Sequence, residues 1–277
     1  MERMPIGVFT SIGAGLGASL DAVVQLGVKT VQLHAPSPEY RSPEKVQEIK
    51  KQFAEAGIAI TAVFCGFEGE SYETVPIVKE TVGLVPSKIR AERLQETFEI
   101  SDFAKALGVD VVAMHLGFVS EDPDDPEYHE IIEVTREVCD HCKANGQRFH
   151  LETGQEPADV LLRFIEEVGR DNLAVNFDPA NMILYNAGDP VEGLKKLGQY
   201  VESVHCKDAT WERKPDQKWY EDAPLGEGDV GIETFLRTLK ELGYEGPLTI
   251  EREYSPDQAG DIAEAVGLLK GLRKEVL

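Results

Sequence analysis

Hydrophobic and polar positions along the chain switch between two periods. Short runs rich in β-branched and aromatic residues read as strands: IGVFT (6–10), TVQLHA (30–35), IAITAVFCG (58–66), VDVVAMHLG (109–117), RFHLET (148–153), LAVNFD (173–178), VESVHCKD (201–208) and PLTIERE (247–253). Between them apolar residues recur at helical spacing, which predicts helices near 18–26, 42–57, 88–107, 126–145, 157–168, 190–198, 232–242 and 256–274. The second helix opens on Ser42-Pro43 and closes on Gly57, a start and a stop signal. Strict strand–helix alternation predicts a parallel sheet. Eight such units in 277 residues predict an α/β fold, a closed (β/α)8 TIM barrel forming a single domain over 1–277. Two connections, at about 67–87 and 209–231, are longer than ordinary βα loops and are candidate lids over the mouth.

An open, doubly wound sheet would require the first βα turn to hold dinucleotide phosphates. That turn carries Gly13-x-Gly15-x-Gly17, which is not the G-x-G-x-x-G spacing, and His34 stands where an acidic residue should follow. The glycines read as a plain loop.

With 42% hydrophobic residues the chain can bury a sizeable core. Its 28 basic and 50 acidic residues leave a net charge of −22, which argues against nucleic-acid and membrane partners and for a small-molecule substrate. The first residues lack a signal-peptide pattern, and no apolar run is long enough to span a bilayer. Four cysteines in 277 residues make no disulfide framework, so a reducing, cytoplasmic setting is expected. The C-x-x-C pair Cys139 and Cys142 has no second ligand pair nearby and reads as helix packing.

Catalytic groups of this barrel come from the C-terminal ends of its strands. Those ends carry His34, Cys65, His115, Glu152, Asp178, His205 and Glu251. Residues two apart share a face, so His150 pairs with Glu152, Asn176 with Asp178, His205 with Lys207, and Glu251 with Glu253. Carboxylates and imidazoles turned inward on four consecutive strands need a compensating cation. One divalent metal held by Glu152, Asp178, His205 and Glu251 supplies it. The hard donor set suits Mn²⁺ first, with Mg²⁺, Co²⁺ or Zn²⁺ as alternatives. Three carboxylates against a charge of +2 leave the site net negative, favouring a neutral, oxygen-rich ligand.

The segments HLETG, NFDPAN, SVHCKDA, PLGEGDVG and TIERE, in that order, resemble the sugar isomerase/epimerase superfamily of xylose-isomerase-like TIM barrels. That group includes ketose 3-epimerases, inosose isomerases and dehydratases, and the endonuclease IV branch. The resemblance covers essentially the whole chain and implies the same four ligands. It also implies that Glu152 and Glu251 act as the acid/base pair. Two departures stand out. Asn181 replaces a substrate-contacting His often found three residues after the metal Asp. The further His and Asp ligands of the trinuclear nucleases are lacking apart from a match at His115, so the site is expected to be mononuclear.

The expected chemistry is proton transfer next to a ketose or polyol-derived carbonyl, with the metal stabilising an enediolate. Epimerase, isomerase and keto-inositol (inosose) dehydratase share such a site, and a non-catalytic sugar-binding barrel is the alternative from another class. His115, His34, Lys207, Asn181 and Trp211 are the candidate substrate contacts, with Phe67 an alternative ring to Trp211. Lys207 reads equally as a salt-bridge partner of Glu152 or Glu253. His150 reads as a satisfied interior histidine, His129 and His141 as surface residues, and Arg90 as an exposed helical arginine. Barrels of this resemblance often form homodimers or homotetramers.

Overall fold

A computed structural model describes residues 3–13, 17–212 and 218–277. Eight parallel strands close into a barrel in chain order: β1 (Ile6–Ser11), β2 (Thr30–His34), β3 (Ala59–Phe64), β4 (Val111–Met114), β5 (Arg148–Glu152), β6 (Leu173–Phe177), β7 (Val201–Cys206) and β8 (Leu248–Ile250). Pairing of Ile6 with Leu248 joins β1 to β8 and leaves no sheet edge. The open doubly wound alternative is thereby excluded. Gly15 lies outside the described residues, while Gly17 sits against the Phe9 carbonyl in a left-handed conformation, folding the loop back on β1.

The outer ring consists of α1 (Leu20–Leu26), α2 (Pro43–Ala56), α4 (Arg90–Leu107), α5 (Pro126–Ala144), α6 (Ala158–Val168), α8 (Pro190–Leu197), α9 (Ile232–Glu241) and α10 (Gln258–Val276). Local chemistry sets their limits. In α2 the Ser42 hydroxyl accepts the Lys45 N–H, Pro43 fills the first turn, and Gly57 closes the helix at a φ of 66°. Its Val46, Ile49 and Phe53 then face the barrel on one stripe.

Two short helices fall where no helix is expected. α3 (Val75–Thr81) sits inside the first long loop, where Thr74 accepts the Ile77 N–H and Pro76 occupies the first turn. α7 (Pro179–Leu184) starts directly after β6, capped by Asp178. The strands also end earlier than the hydrophobic runs suggest, at Met114 rather than 117 and at Ile250 rather than 253.

Candidate active site

The four expected ligands meet at the mouth. One donor atom from each of Glu152, Asp178, His205 and Glu251 lies within 4.8 Å of the other three. His205 Nδ1 is 2.8 Å from Glu152 Oε1, 3.3 Å from Glu251 Oε2 and 3.4 Å from Asp178 Oδ2. Donors sharing a cation at about 2.1 Å stand roughly 3–3.5 Å apart, so this spacing suits one metal ion.

Hydrogen bonding points the same way. Asp178 Oδ1 accepts the N–H groups of Ala180 and Asn181 as the cap of α7. Its Oδ2 is buried with no hydrogen-bond partner, as is His205 Nδ1. His205 Nε2 lies 2.7 Å from Gln32 Oε1. The Gln32 amide nitrogen donates to Asn176 Oδ1, so its oxygen faces the imidazole and the His205 proton resides on Nε2. Nδ1 is therefore the nitrogen that faces the three carboxylates and would give up its proton to a cation, as an imidazole ligand's must; without one, burial opposes the ring's charge but the carboxylates outweigh it and hold His205 protonated. The rings of Phe9 and Phe64 pack against the imidazole at 5.7 and 5.4 Å between centroids. Two orphaned buried donor atoms and a hard donor set fit a divalent cation.

Lys207 changes the charge balance expected from the ligands alone. Its Nζ is 2.8 Å from Glu251 Oε2, 3.1 Å from Glu253 Oε2 and 3.9 Å from Asp178 Oδ2. Three ligand carboxylates, one ammonium and a divalent ion would sum to zero, and Glu253, which shares Lys207, adds a further carboxylate to the set. Of the two salt-bridge partners considered from sequence, Glu253 is engaged and Glu152 is not; Glu251 takes its place. The two cavity-facing glutamates are held differently. Burial pushes Glu152 up to about 7, although His205 pulls it back. Burial also opposes ionisation of Glu251, but the charges of His205 and Lys207 outweigh it and hold that carboxyl well below the usual range.

Asp178 and His205 are fully buried, whereas Glu152 and Glu251 line a cavity of about 1330 Å³ over the barrel mouth. His34 and His115 line it as well. His115 is buried, its Nδ1 accepts the Gly117 N–H at 3.3 Å, and burial pushes its pKa down to about 4, keeping it neutral. Asn181 and Lys207 line a narrow arm of the cavity beside Tyr185 and Trp219, and the Asn181 amide donates to the Thr153 carbonyl.

Trp211 is placed elsewhere. It is 43% exposed, its backbone N–H donates to Asp229 Oδ2, and it stands outside the cavity walls. Trp219 holds the corresponding loop inward through a hydrogen bond from its indole N–H to the Glu73 carbonyl. Phe67 does line the cavity, beneath the Arg93 guanidinium. Arg90 is not the exposed arginine expected: it is largely buried, donating to the Leu84 and Val85 carbonyls and to Glu130. His150 is buried in the barrel with its Nδ1 2.8 Å from the Ser203 hydroxyl. Cys139 and Cys142 pack inside α5. Gln32, Ser203, Tyr72 and Tyr185 were not singled out by sequence reasoning, and Asn176 only as sharing a face with Asp178; extending the face-sharing rule from His34 to Gln32 would have found the first.

The chain matches the xylose isomerase-like TIM barrel family over residues 20–272 and belongs to it. Among solved structures it is similar to a xylose isomerase domain protein from Planctomyces limnophilus, with 50% identity, 99% of each chain covered and a TM-score of 0.95. Among curated relatives it is 26% identical to a ketose 3-epimerase of Arthrobacter globiformis over 51% of this chain and 42% of that one. It is 27% identical to an inosose dehydratase of Clostridium botulinum (strain Eklund 17B / Type B) over 42% of this chain and 43% of that one. The matches thus span under half the length of these two relatives. Among the described residues no helix is long and apolar enough to cross a membrane.

Proposed function

We propose that the protein is a divalent-metal-dependent sugar isomerase or epimerase that moves a proton at the carbon beside a ketose carbonyl. The observation that carries this reading is the division of the ligand cluster. Asp178 and His205 are sealed behind it, while Glu152 and Glu251 face the cavity and are the two carboxylates of the cluster that a substrate can touch. Glu152, Asp178, His205 and Glu251 would hold the cation, which when bound supplies Lewis-acid polarisation of the carbonyl. Glu152 and Glu251 would remove and return the proton. Lys207, tied to Glu251, would orient that carboxylate and offer a donor to substrate oxygen. His115 and His34 would position the hydroxyl groups. Manganese is the metal proposed, from the hardness of the donor set. The family membership and the ketose 3-epimerase likeness support a sugar substrate.

The test is solvent-deuterium entry into carbon-bound positions of ketoses with Mn²⁺-loaded protein. Wild type should exchange, and Glu152→Gln and Glu251→Gln should each abolish exchange. Exchange untouched by both substitutions would sink the reading. The inosose dehydratase likeness favours a second reading, loss of a β-hydroxyl from a keto-polyol, which would instead appear as enone absorbance.

A further inference from the structure

The cavity over the mouth is larger than one sugar ring needs. It is partly open to solvent and spans about 1330 Å³. A hexose at the close packing of organic solids fills roughly 200 Å³, and drug-sized ligands occupy sites of roughly 300–1,000 Å³. From Glu152 and Glu251 the walls run across the ends of β1 and β2, past Phe9 and His34, to Arg41 and to Ile89 and Glu96 at the start of α4. The far end is a built polar wall. The Arg41 side chain is 8% exposed, its Nε donates to the Pro36 carbonyl at 2.6 Å, and its Nη2 donates to Glu96 at 2.8 Å. Its Nη1 is buried and has no partner.

The charge of the lining selects what can lie there. Among the described residues it includes nine glutamates and three arginines. Each arginine is already matched: Arg41 by Glu96, Arg93 by the Gly83 carbonyl and Glu70, and Arg252 by Asp222 and Asp261. A phosphate or carboxylate would meet uncompensated like charge, whereas a neutral, hydroxyl-bearing group adds none and can donate to the carboxylates of the wall.

We infer that the substrate is an uncharged glycoside. One unit presents its carbonyl to Glu152 and Glu251, and a second uncharged, sugar-sized group fills the far arm of the main cavity, between His34, Arg41 and α4. The first half of this statement rests on the proton-transfer reading above, and the second half does not. The experiment compares deuterium wash-in for lactulose and isomaltulose, ketoses carrying a second neutral hexose, with fructose and fructose 6-phosphate. It uses Mn²⁺-loaded wild type, Ser37→Trp and Ile89→Trp; Ser37 is exposed at the cavity rim, so its variant should fold even if Ile89→Trp does not. A disaccharide should exceed fructose in kcat/KM by about tenfold or more, with the phosphate poorest, and each tryptophan should collapse that ratio. Fructose or fructose 6-phosphate exchanging as well as both disaccharides, or a ratio indifferent to both tryptophans, overturns the inference and leaves the proton-transfer reading standing. If no ketose exchanges, that reading fails on its own, and calorimetric binding of lactulose judges the arm. Binding weakened by Ser37→Trp supports it; absent or unaffected binding overturns it.

Discussion

Gln32 Oε1 lies 2.7 Å from His205 Nε2, inside the barrel and behind the ligand cluster. The pair ends a hydrogen-bonded chain. His150 Nδ1 meets the Ser203 hydroxyl, Ser203 donates to Asn176 Oδ1, and that oxygen also accepts from the Gln32 amide. Each link fixes the direction of the next, so the proton on His205 Nε2 is set by residues that never reach the cavity. Such outer partners orient a ligand imidazole and raise its basicity.

Replacing Gln32 by Met removes the acceptor while keeping the volume. Mn²⁺ affinity should fall roughly 10–100-fold, the usual effect of losing a ligand's outer partner. Isothermal titration of the metal-free protein measures it. Unchanged affinity would mean that Asp178 and the two glutamates hold the ion without a directed imidazole.

Gly154 and Gly66 are needed for the approach of rings rather than for backbone shape, since neither has a left-handed φ. A β-carbon on Gly154 would lie 2.4 Å from His115 Nε2, and one on Gly66 2.1 Å from His34 Nε2. Gly154→Ala should push His115 out of place, lowering kcat/KM by about tenfold through misplacement while bound Mn²⁺ stays at the wild-type level. In a double-mutant cycle Gly154→Ala should cost nothing further once His115 is Ala. Additive losses would show that the glycine acts on something else.

The eight strand–helix units were legible because period alone distinguishes them. α3 and α7 were not, since helices of seven and six residues show too little periodicity and are announced only by Thr74 with Pro76 and by Asp178 with Pro179. The ligand quartet was readable from strand ends because burying such groups together demands a cation. The bond between Gln32 and Asn176 was not, although Asn176 was placed on the Asp178 face, since the two answer each other across 144 residues of sequence. Lys207 could be placed on the right face, but its partner depends on which strands adjoin: β8 neighbours β7, and β5 does not. The position of Trp211 rests on loop conformation, which periodicity does not encode.

Glu156 offers a stability test away from the ligand cluster. Its carboxylate accepts the Val119 N–H at 3.1 Å and contacts the Gln155 amide, yet burial dominates and pushes it up to about 8 from an ordinary value of 4.5. An acid with a raised folded pKa binds its proton more tightly in the fold. Its contribution is therefore full below about pH 4.5 and is lost as pH rises toward 8. Glu156→Gln has no proton to lose, so its stability relative to wild type should climb through that window, by at most about 1.4 kcal/mol per pH unit, and level off above it. Urea unfolding of both proteins from pH 5 to 9 gives the difference. Parallel curves would mean that Glu156 is ionised in the fold.

Asp208 closes the base of the long β7–α9 connection. Its Oδ1 accepts from the N–H groups of Ala209 and Val230, and its Oδ2 from those of Gly226 and Gly228. Gly228 can come this near only because it lacks a β-carbon, which would lie 2.2 Å from Asp208 Oδ1. One side chain thus satisfies four backbone donors of the loop that carries Trp219 and Tyr220 to the cavity. Asp208→Ala leaves those donors to water or to nothing, and should cost roughly 3 kcal/mol in urea unfolding, with Asp208→Asn costing about half because one acceptor oxygen remains. Limited proteolysis adds a local readout: cleavage within 209–231 should accelerate more than cleavage elsewhere. Uniform acceleration along the chain would instead mean that Asp208 supports the whole barrel rather than this loop.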